Sequence, residues 1–249
     1  MDRDICDRLP CSKCFEKVTV TVQASLQTSR VADHPAERIF IDRWSPRGFS
    51  QEQISEGELR TLFEAARWAP SAYNSQPWHF LYALRGDAEF DAFLTPLIEF
   101  NRGWAQHAAA LIYLLSRREF TPPGKTEAQF SRTHSFDAGA AWANFANQAA
   151  IGGLAAHGMS GIDVDKARAV LGVPEGFDVE IAIALGRKGD GAHLAPALLQ
   201  REQPSSRSSV GEFAAHGLFP SVSRPRDDRP VQARDLCHRA SPGASRRRG

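Results

Sequence analysis

Behind Ser55-Glu56-Gly57-Glu58, the signature of a capping box, Leu59, Leu62, Phe63 and Ala66 recur at helical spacing and predict a helix from about 56 to 68. Pro70 disfavours helical geometry at Ala69 and marks its end. The pattern then changes: Trp78-His79-Phe80-Leu81-Tyr82-Ala83-Leu84 is dense in aromatic and apolar residues and predicts a mostly buried strand. A helix over 87–97 and a strand over 109–116 follow. Phe136 to Ala156 reads as one long helix crowded with Ala138, Gly139, Ala141, Ala149 and Gly153, small residues that allow close approach to a second copy of the chain or to its own core. Asp163 caps a helix from Val164 to Leu171, Gly172 ends it, Pro174-Glu175-Gly176 turns, and Val179 to Leu185 alternates as a strand. There is no internal repeat and no Walker-type phosphate loop.

Two polar segments interrupt this pattern. Pro70-Ser71-Ala72-Tyr73-Asn74-Ser75-Gln76-Pro77 sets turn formers and amide side chains between the first helix and the first strand. By itself it fits either a ligand-holding loop or a connection in which Asn74 and Ser75 make side-chain turns and Pro77 stiffens the strand entry. Upstream, Arg43-Trp44-Ser45-Pro46-Arg47 flanks a serine hydroxyl with two planar, permanently charged forks suited to phosphate oxygens. Alone, that pattern also fits a solvated helix end with a Ser-Pro turn.

Together, Arg43-x-Ser45-x-Arg47 and Pro70-Ser71-x-x-Asn74-x-Gln76-Pro77-Trp78 resemble the FMN-dependent nitroreductase family, and the capped helix between them fits its spacing. The resemblance continues at Asn101, matching an asparagine that reaches the flavin ring in family members. It extends to Ala156–Asp163, similar to a loop over the reactive flavin face, and to Arg201–Arg207, similar to a C-terminal phosphate-binding segment. It covers roughly 35 to 220. Trp104 stands where some members carry a lysine, and Ser160 where several carry a glutamate. The implied fold is α+β, a mainly antiparallel central sheet wrapped by helices in an intertwined homodimer with FMN at the interface. The implied cofactor-binding set is Arg43, Trp44, Ser45, Arg47, Asn101, Gly158, Met159, Ser160, Gly161 and Arg207, with Gln76 and with Pro70, Ser71, Ala72 and Asn74 from the second subunit.

The resemblance further implies NAD(P)H as electron donor and hydride transfer through the flavin to a small electron-poor acceptor, such as a nitroaromatic or quinone, by a ping-pong mechanism without a side-chain nucleophile. Dehalogenation, enone reduction, dehydrogenation or flavin fragmentation on the same scaffold, or a non-catalytic flavin-holding or partner-binding role, are the alternatives, and fold alone does not choose. The acceptor pocket is expected around Phe100–Trp104 and Phe120–Phe136.

Composition fits such an enzyme, since 249 residues with 42% apolar content suffice for one sizeable core. No apolar run approaches the roughly 18 residues of a membrane span, and no signal-peptide pattern opens the chain, so the expectation is a cytoplasmic protein without membrane partners. The formal charge of +1 hides an asymmetry, because 222–249 holds eight Arg against three Asp. That Arg/Pro/Ser-rich tail is expected to be disordered, and its acidic interruptions argue against nucleic-acid binding. The domain reading is therefore an atypical, poorly ordered arm at 1–34, an FMN-binding domain at 35–221 and a tail at 222–249.

In the arm, Cys11-x-x-Cys14 offers half a zinc site or a redox pair, but no second closely spaced pair accompanies it, and no metal is expected. His79, opening a strand, and His157, ending a helix, are expected to be structural, and Ser71 lacks the His/Asp pattern of a nucleophile.

Overall fold

The computed structural model describes residues 30–219. Within them lie α1 (Arg38–Asp42), α2 (Glu56–Arg67), a 3-10 turn at Ala72–Asn74, β1 (Trp78–Leu84), α3 (Phe90–Leu94), α4 (Glu99–Ala105) and β2 (Ala110–Arg117). These are followed by the short strands β3 (Glu119–Phe120) and β4 (Gln129–Phe130), then α5 (His134–Ile151), β5 (Ala155–Met159), α6 (Val164–Leu171), β6 (Phe177–Gly186), α7 (Pro196–Leu199) and α8 (Val210–Phe213). Packing divides the chain into two units, residues 1–206 and residues 207–249, and the second contributes α8 to the described part. The arm's cysteines and the arginine tail lie outside the described residues.

The central sheet has the order β1-β2-β6-β5, and every pairing in it is antiparallel. This is the α+β architecture expected. β2 is buried on both faces and divides its side chains by the period of a strand. Leu111, Tyr113 and Leu115 enter one core with Phe90, Phe93, Leu97 and Trp104, while Ile112 and Leu114 enter the other with Leu59, Leu62, Ala141 and Phe145. The helices α3, α4 and α6 serve the first core, and α2 and α5 the second. Ile112, Leu114 and Leu115 are each at most 2% exposed, so each side chain contributes about 1.5–3 kcal/mol by burial. The Tyr113 hydroxyl satisfies itself by donating to the Phe93 carbonyl at 3.0 Å, and burial pushes its pKa up.

The α2 capping box forms as expected: Ser55 Oγ accepts from Glu58 N, and the Glu58 carboxylate accepts from Ser55 N at 2.9 Å. Asp163 caps α6, and Gly172 ends it at φ 65°, a left-handed conformation that glycine adopts without strain.

Three expectations are corrected, and one element is added. β1 is an edge strand and only partly buried, because a partner strand covers it on one side only. The helix expected over 87–97 is confined to Phe90–Leu94, ending ahead of Thr95-Pro96, and a separate α4 carries Asn101 and Trp104. The long helix stops at Ile151 because Gly152-Gly153 breaks it, and the chain re-enters the sheet as β5, so His157 and Gly158 lie on a strand instead of in a helix end or loop. The β3–β4 hairpin was not legible as such, being two residues per strand.

Among the described residues, no helix is long and apolar enough to cross a membrane. Helix α5 buries Ala138, Ala141, Phe145 and Ala149 against its own chain, while Phe136 is 80% and Ile151 41% exposed. Its small residues thus serve the chain's own core on one side and leave the other side open.

Candidate functional site

The chain leaving α1 passes through Arg43–Phe49 at the Gly186 end of β6. Phe49 bridges to Lys188, Ser50 N donates to the Arg187 carbonyl at 2.9 Å, and Gly189 N to the Gly48 carbonyl at 2.8 Å. The approach is close enough to require glycine: a Cβ at Gly189 would sit 2.7 Å from the Phe49 carbonyl carbon. Glu202, arriving after α7, secures the segment from the other side, its Oε1 accepting the backbone N–H of Arg47 at 2.6 Å and of Gly48 at 2.7 Å. Those two amides are therefore not available to an anion. Arg43 approaches the Ser45 hydroxyl at 3.4 Å, and the Lys188 ammonium lies 5.1 Å from the centre of the Trp44 ring.

Beneath this segment, Trp104 of α4 is 1% exposed, stacks with Phe49 and lies 4.7 Å from the His157 ring. The Arg47 guanidinium stands 5.8 Å from the Trp104 ring centre. His157 Nδ1 lies 3.0 Å from the Pro46 carbonyl, so Nδ1 carries the proton and donates to it. Burial lowers the His157 pKa below its ordinary 6.5, the Arg47 charge acts in the same direction, and the bond to Pro46 opposes them. The imidazole is neutral at pH 7.

One turn before Trp104 on the same face of α4, Asn101 is 8% exposed and donates from Nδ2 to the Gly161 carbonyl at 3.1 Å. Ile98 N donates to the same carbonyl, and a Cβ at Gly161 would lie 2.5 Å from Asn101 Nδ2. Residues 158–161 are thereby pinned under α4, with Gly158 against Trp142, Met159 buried and Ser160 exposed.

The Pro70–Gln76 loop belongs to the opposite end of the sheet, where Trp78 pairs with Ser116 and Ser116 with Asp178. Tyr73, Asn74 and Gln76 have φ of 53°, 52° and 46°, in the left-handed region. Ser71 Oγ accepts from Gln76 N at 3.0 Å, which gives Ser71 a loop-closing role. Ala72 N donates to Asp137 Oδ2 at 3.1 Å, Arg117 donates to the Ser75 carbonyl at 3.2 Å, and the exposed Tyr73 ring stacks on Phe120. Between the loop and the β3 strand lies an open cavity of about 570 Å³, lined by Tyr73, Asn74, Phe120 and Pro123 among others. The ten residues of β6 span about 30 Å between the two ends. Within one chain, Pro70, Ser71, Ala72, Asn74 and Gln76 therefore do not join the cluster of Arg43, Trp44, Ser45, Arg47, Trp104 and His157. Arg207 belongs to the second unit.

Sequence reasoning passed over Glu202, Asp137 and the part that His157 plays in the cluster. Nothing near Glu202 announces a carboxylate that reaches backbone amides 155 residues away. A Ser-His-carboxylate cluster also exists elsewhere: Ser116 Oγ lies 2.7 Å from His134 Nδ1 and bonds Glu180. Ser116 is fully buried, so it has no access to a substrate as a nucleophile.

Arg47 Nε, Trp104 Nε1 and Glu202 Oε2 are each buried without a hydrogen-bond partner among the described residues. Buried polar atoms are nearly always paired. The two donors among them, Arg47 Nε and Trp104 Nε1, beside a serine hydroxyl and a second arginine, fit an anionic, acceptor-rich ligand, whereas Glu202 Oε2 is itself an acceptor and calls for a donor.

The model of the nitroreductase family matches residues 41–102, which hold both polar motifs and the helix between them. A solved oxidoreductase containing FMN is 40% identical, with a TM-score of 0.74 over 78% of this chain and 97% of that one. The NADH dehydrogenase of Thermus thermophilus is 28% identical over 61% of this chain and 85% of its own length. A nitroreductase family protein from Streptococcus pneumoniae shares the fold at 20% identity, with a TM-score of 0.58 over 72% of this chain and 98% of that one. The chain belongs to the nitroreductase family, a family of oxidoreductases.

Proposed function

We propose that the protein is an FMN-dependent oxidoreductase that takes hydride from NAD(P)H and delivers it to a small electron-poor acceptor by a ping-pong mechanism, working as a homodimer through its 35–221 domain. The observation that carries this reading is the cluster in which Arg47 Nε and Trp104 Nε1 are buried without partners beside Arg43 and Ser45. FMN, when bound, supplies the hydride chemistry. Arg43, Ser45 and Arg47 would hold its phosphate and neighbouring oxygens, while Trp44, Asn101 and the Gly158–Gly161 segment would line its ring. Trp104, buried where some members of the family carry a lysine, makes an uncharged floor, with the Arg47 guanidinium 5.8 Å from its ring centre.

The separation of the two motifs supports the dimer. The Pro70–Gln76 loop of one subunit would complete the arginine cluster of the other, since the two lie about 30 Å apart along β6 in a single chain. The open face of α5, with Phe136 and Ile151 exposed, is the surface such a pairing would cover. The cavity beside Tyr73 and Phe120 then lies next to the completed site and would receive the acceptor.

The test is an anaerobic visible spectrum of FMN-reconstituted protein before and after NADH or NADPH, followed by a nitroaromatic. A flavin band that bleaches with nicotinamide and returns with acceptor is expected. Absence of bound flavin would overturn the cofactor assignment, and a flavin that neither nicotinamide bleaches would overturn the donor. Turnover faster with a halogenated aromatic, an enone or oxygen than with nitroaromatics would move the activity to another flavin reaction.

A further inference from the structure

The Pro70–Gln76 loop holds a conformation that its own residues disfavour. Tyr73 is the bulkiest of its left-handed residues, at φ 53°, and strain of this kind persists only where surrounding contacts over-determine it. The loop's internal bonds, Asn74 N to the Ser71 carbonyl, Ser75 N to the Ala72 carbonyl and Gln76 N to Ser71 Oγ, fold it upon itself but do not attach it to the protein. Besides the stack of Tyr73 on Phe120, the loop has two hydrogen-bonded attachments, and one is an exposed arginine, Arg117, on the Ser75 carbonyl. The other is buried. Asp137, 3% exposed in the first turn of α5, accepts from Ala72 N at 3.1 Å and from Thr133 Oγ1 at 3.1 Å through the same oxygen. A carboxylate acceptor binds an amide more strongly than a neutral one does.

We propose that Asp137 is a positioning residue for flavin binding: its buried carboxylate clamps Ala72 and so holds the strained loop in the shape that meets the cofactor. The proposal rests on the loop being a flavin contact. Asp137 itself does not touch the cofactor; it acts through the Ala72 amide. A carboxylate that merely capped α5 would need only Thr133 and the helix's own first turn, and the loop would not feel its loss.

The test compares full-length Asp137→Leu, similar in size but without an acceptor, with Asp137→Asn, which keeps one neutral carbonyl oxygen. Three quantities are read: hydrogen exchange of the peptide covering residues 70–77, FMN affinity by fluorescence titration, and helix content by circular dichroism. Asp137→Leu should speed exchange of that peptide about 10-fold and weaken FMN binding about 10-fold at unchanged helix content, with Asp137→Asn between it and the parent. Adding Tyr73→Gly to Asp137→Leu should recover part of the protection, because glycine adopts the left-handed conformation without strain. Unchanged exchange in folded Asp137→Leu overturns the clamp. Faster exchange with unchanged FMN affinity also overturns the proposal, but through the loop's assignment to the flavin and not through the clamp. Should Asp137→Leu fail to fold, Asp137→Asn carries the decision: faster exchange and weaker FMN binding support the proposal, and parental values overturn it.

Discussion

At the Gly186 end of β6, the arginine segment is held by backbone pressed against backbone, by Glu202 beneath two amides and by a tryptophan-histidine floor. At the Phe177 end, the Pro70–Gln76 loop projects with Tyr73 72% exposed, in left-handed conformations, tied down at Ala72 and Ser75. The first region is rigid because little space exists for it to move into. The second is ordered by hydrogen bonds that work against its intrinsic preference. The proposed site, assembled from both, would combine a preorganised half with an adjustable half, and the adjustable one borders the open cavity.

The sharpest way to break this contrast is to crowd the rigid end. Gly189→Ala would drive a Cβ to 2.7 Å from Phe49 backbone, which has no rotamer to yield, and should cost about 1–3 kcal/mol in urea denaturation with FMN binding lost in proportion. Removing the buried carboxylate by Glu202→Ala leaves the Arg47 and Gly48 amides unpaired and should cost about 1–3 kcal/mol, while exchange of the 70–77 peptide stays at the parental rate. Faster exchange at both ends would show that the two regions are not independent. Arg47→Ala should weaken FMN binding about 10-fold or more with a thermal midpoint close to the parent's, since a charge-assisted bond is lost from a site and not from the fold.

Acid should act on the rigid end first. His157 has a folded pKa below its unfolded value near 6.5, so its contribution to stability is complete above pH 6.5 and is lost as pH falls through the depressed folded value. His107, lowered first by burial and then by His193 and Arg85, has the same sign. The thermal midpoint should therefore drop on going from pH 7 to pH 5.5, and His157→Gln should flatten part of that slope. The smallest effect is expected at the other end. Tyr73→Gly relieves a left-handed tyrosine but loses its stack on Phe120, leaving a net change within about 1 kcal/mol, with any affinity change confined to the acceptor.

Much of the fold could be read along the chain because its signals are local. The capping box at Ser55, the apolar run of β2, the Asp163 cap and the Gly172 stop each depend on residues within a few positions of one another, and each appears where its signal lies. The errors arose where a local pattern continued past a tertiary boundary. Small residues run on through Gly152-Gly153 into β5, so composition suggested one helix where the sheet claimed the last part. The aromatic run of β1 looked buried, but its position at the sheet edge leaves it half covered.

The two polar motifs, their residue types and the family they jointly point to were determined by the sequence itself, because paired guanidinium forks and turn-forming amides are recorded in residue identity and spacing. Their placement at opposite ends of one sheet, the reach of Glu202 and Asp137 to distant backbone amides, and the burial of Trp104 against a neutral His157 were decided only in three dimensions. The physical reason is that a buried hydrogen bond across 65 or 155 residues depends on where strand pairing and helix packing bring the chain, and no single stretch of residues records that.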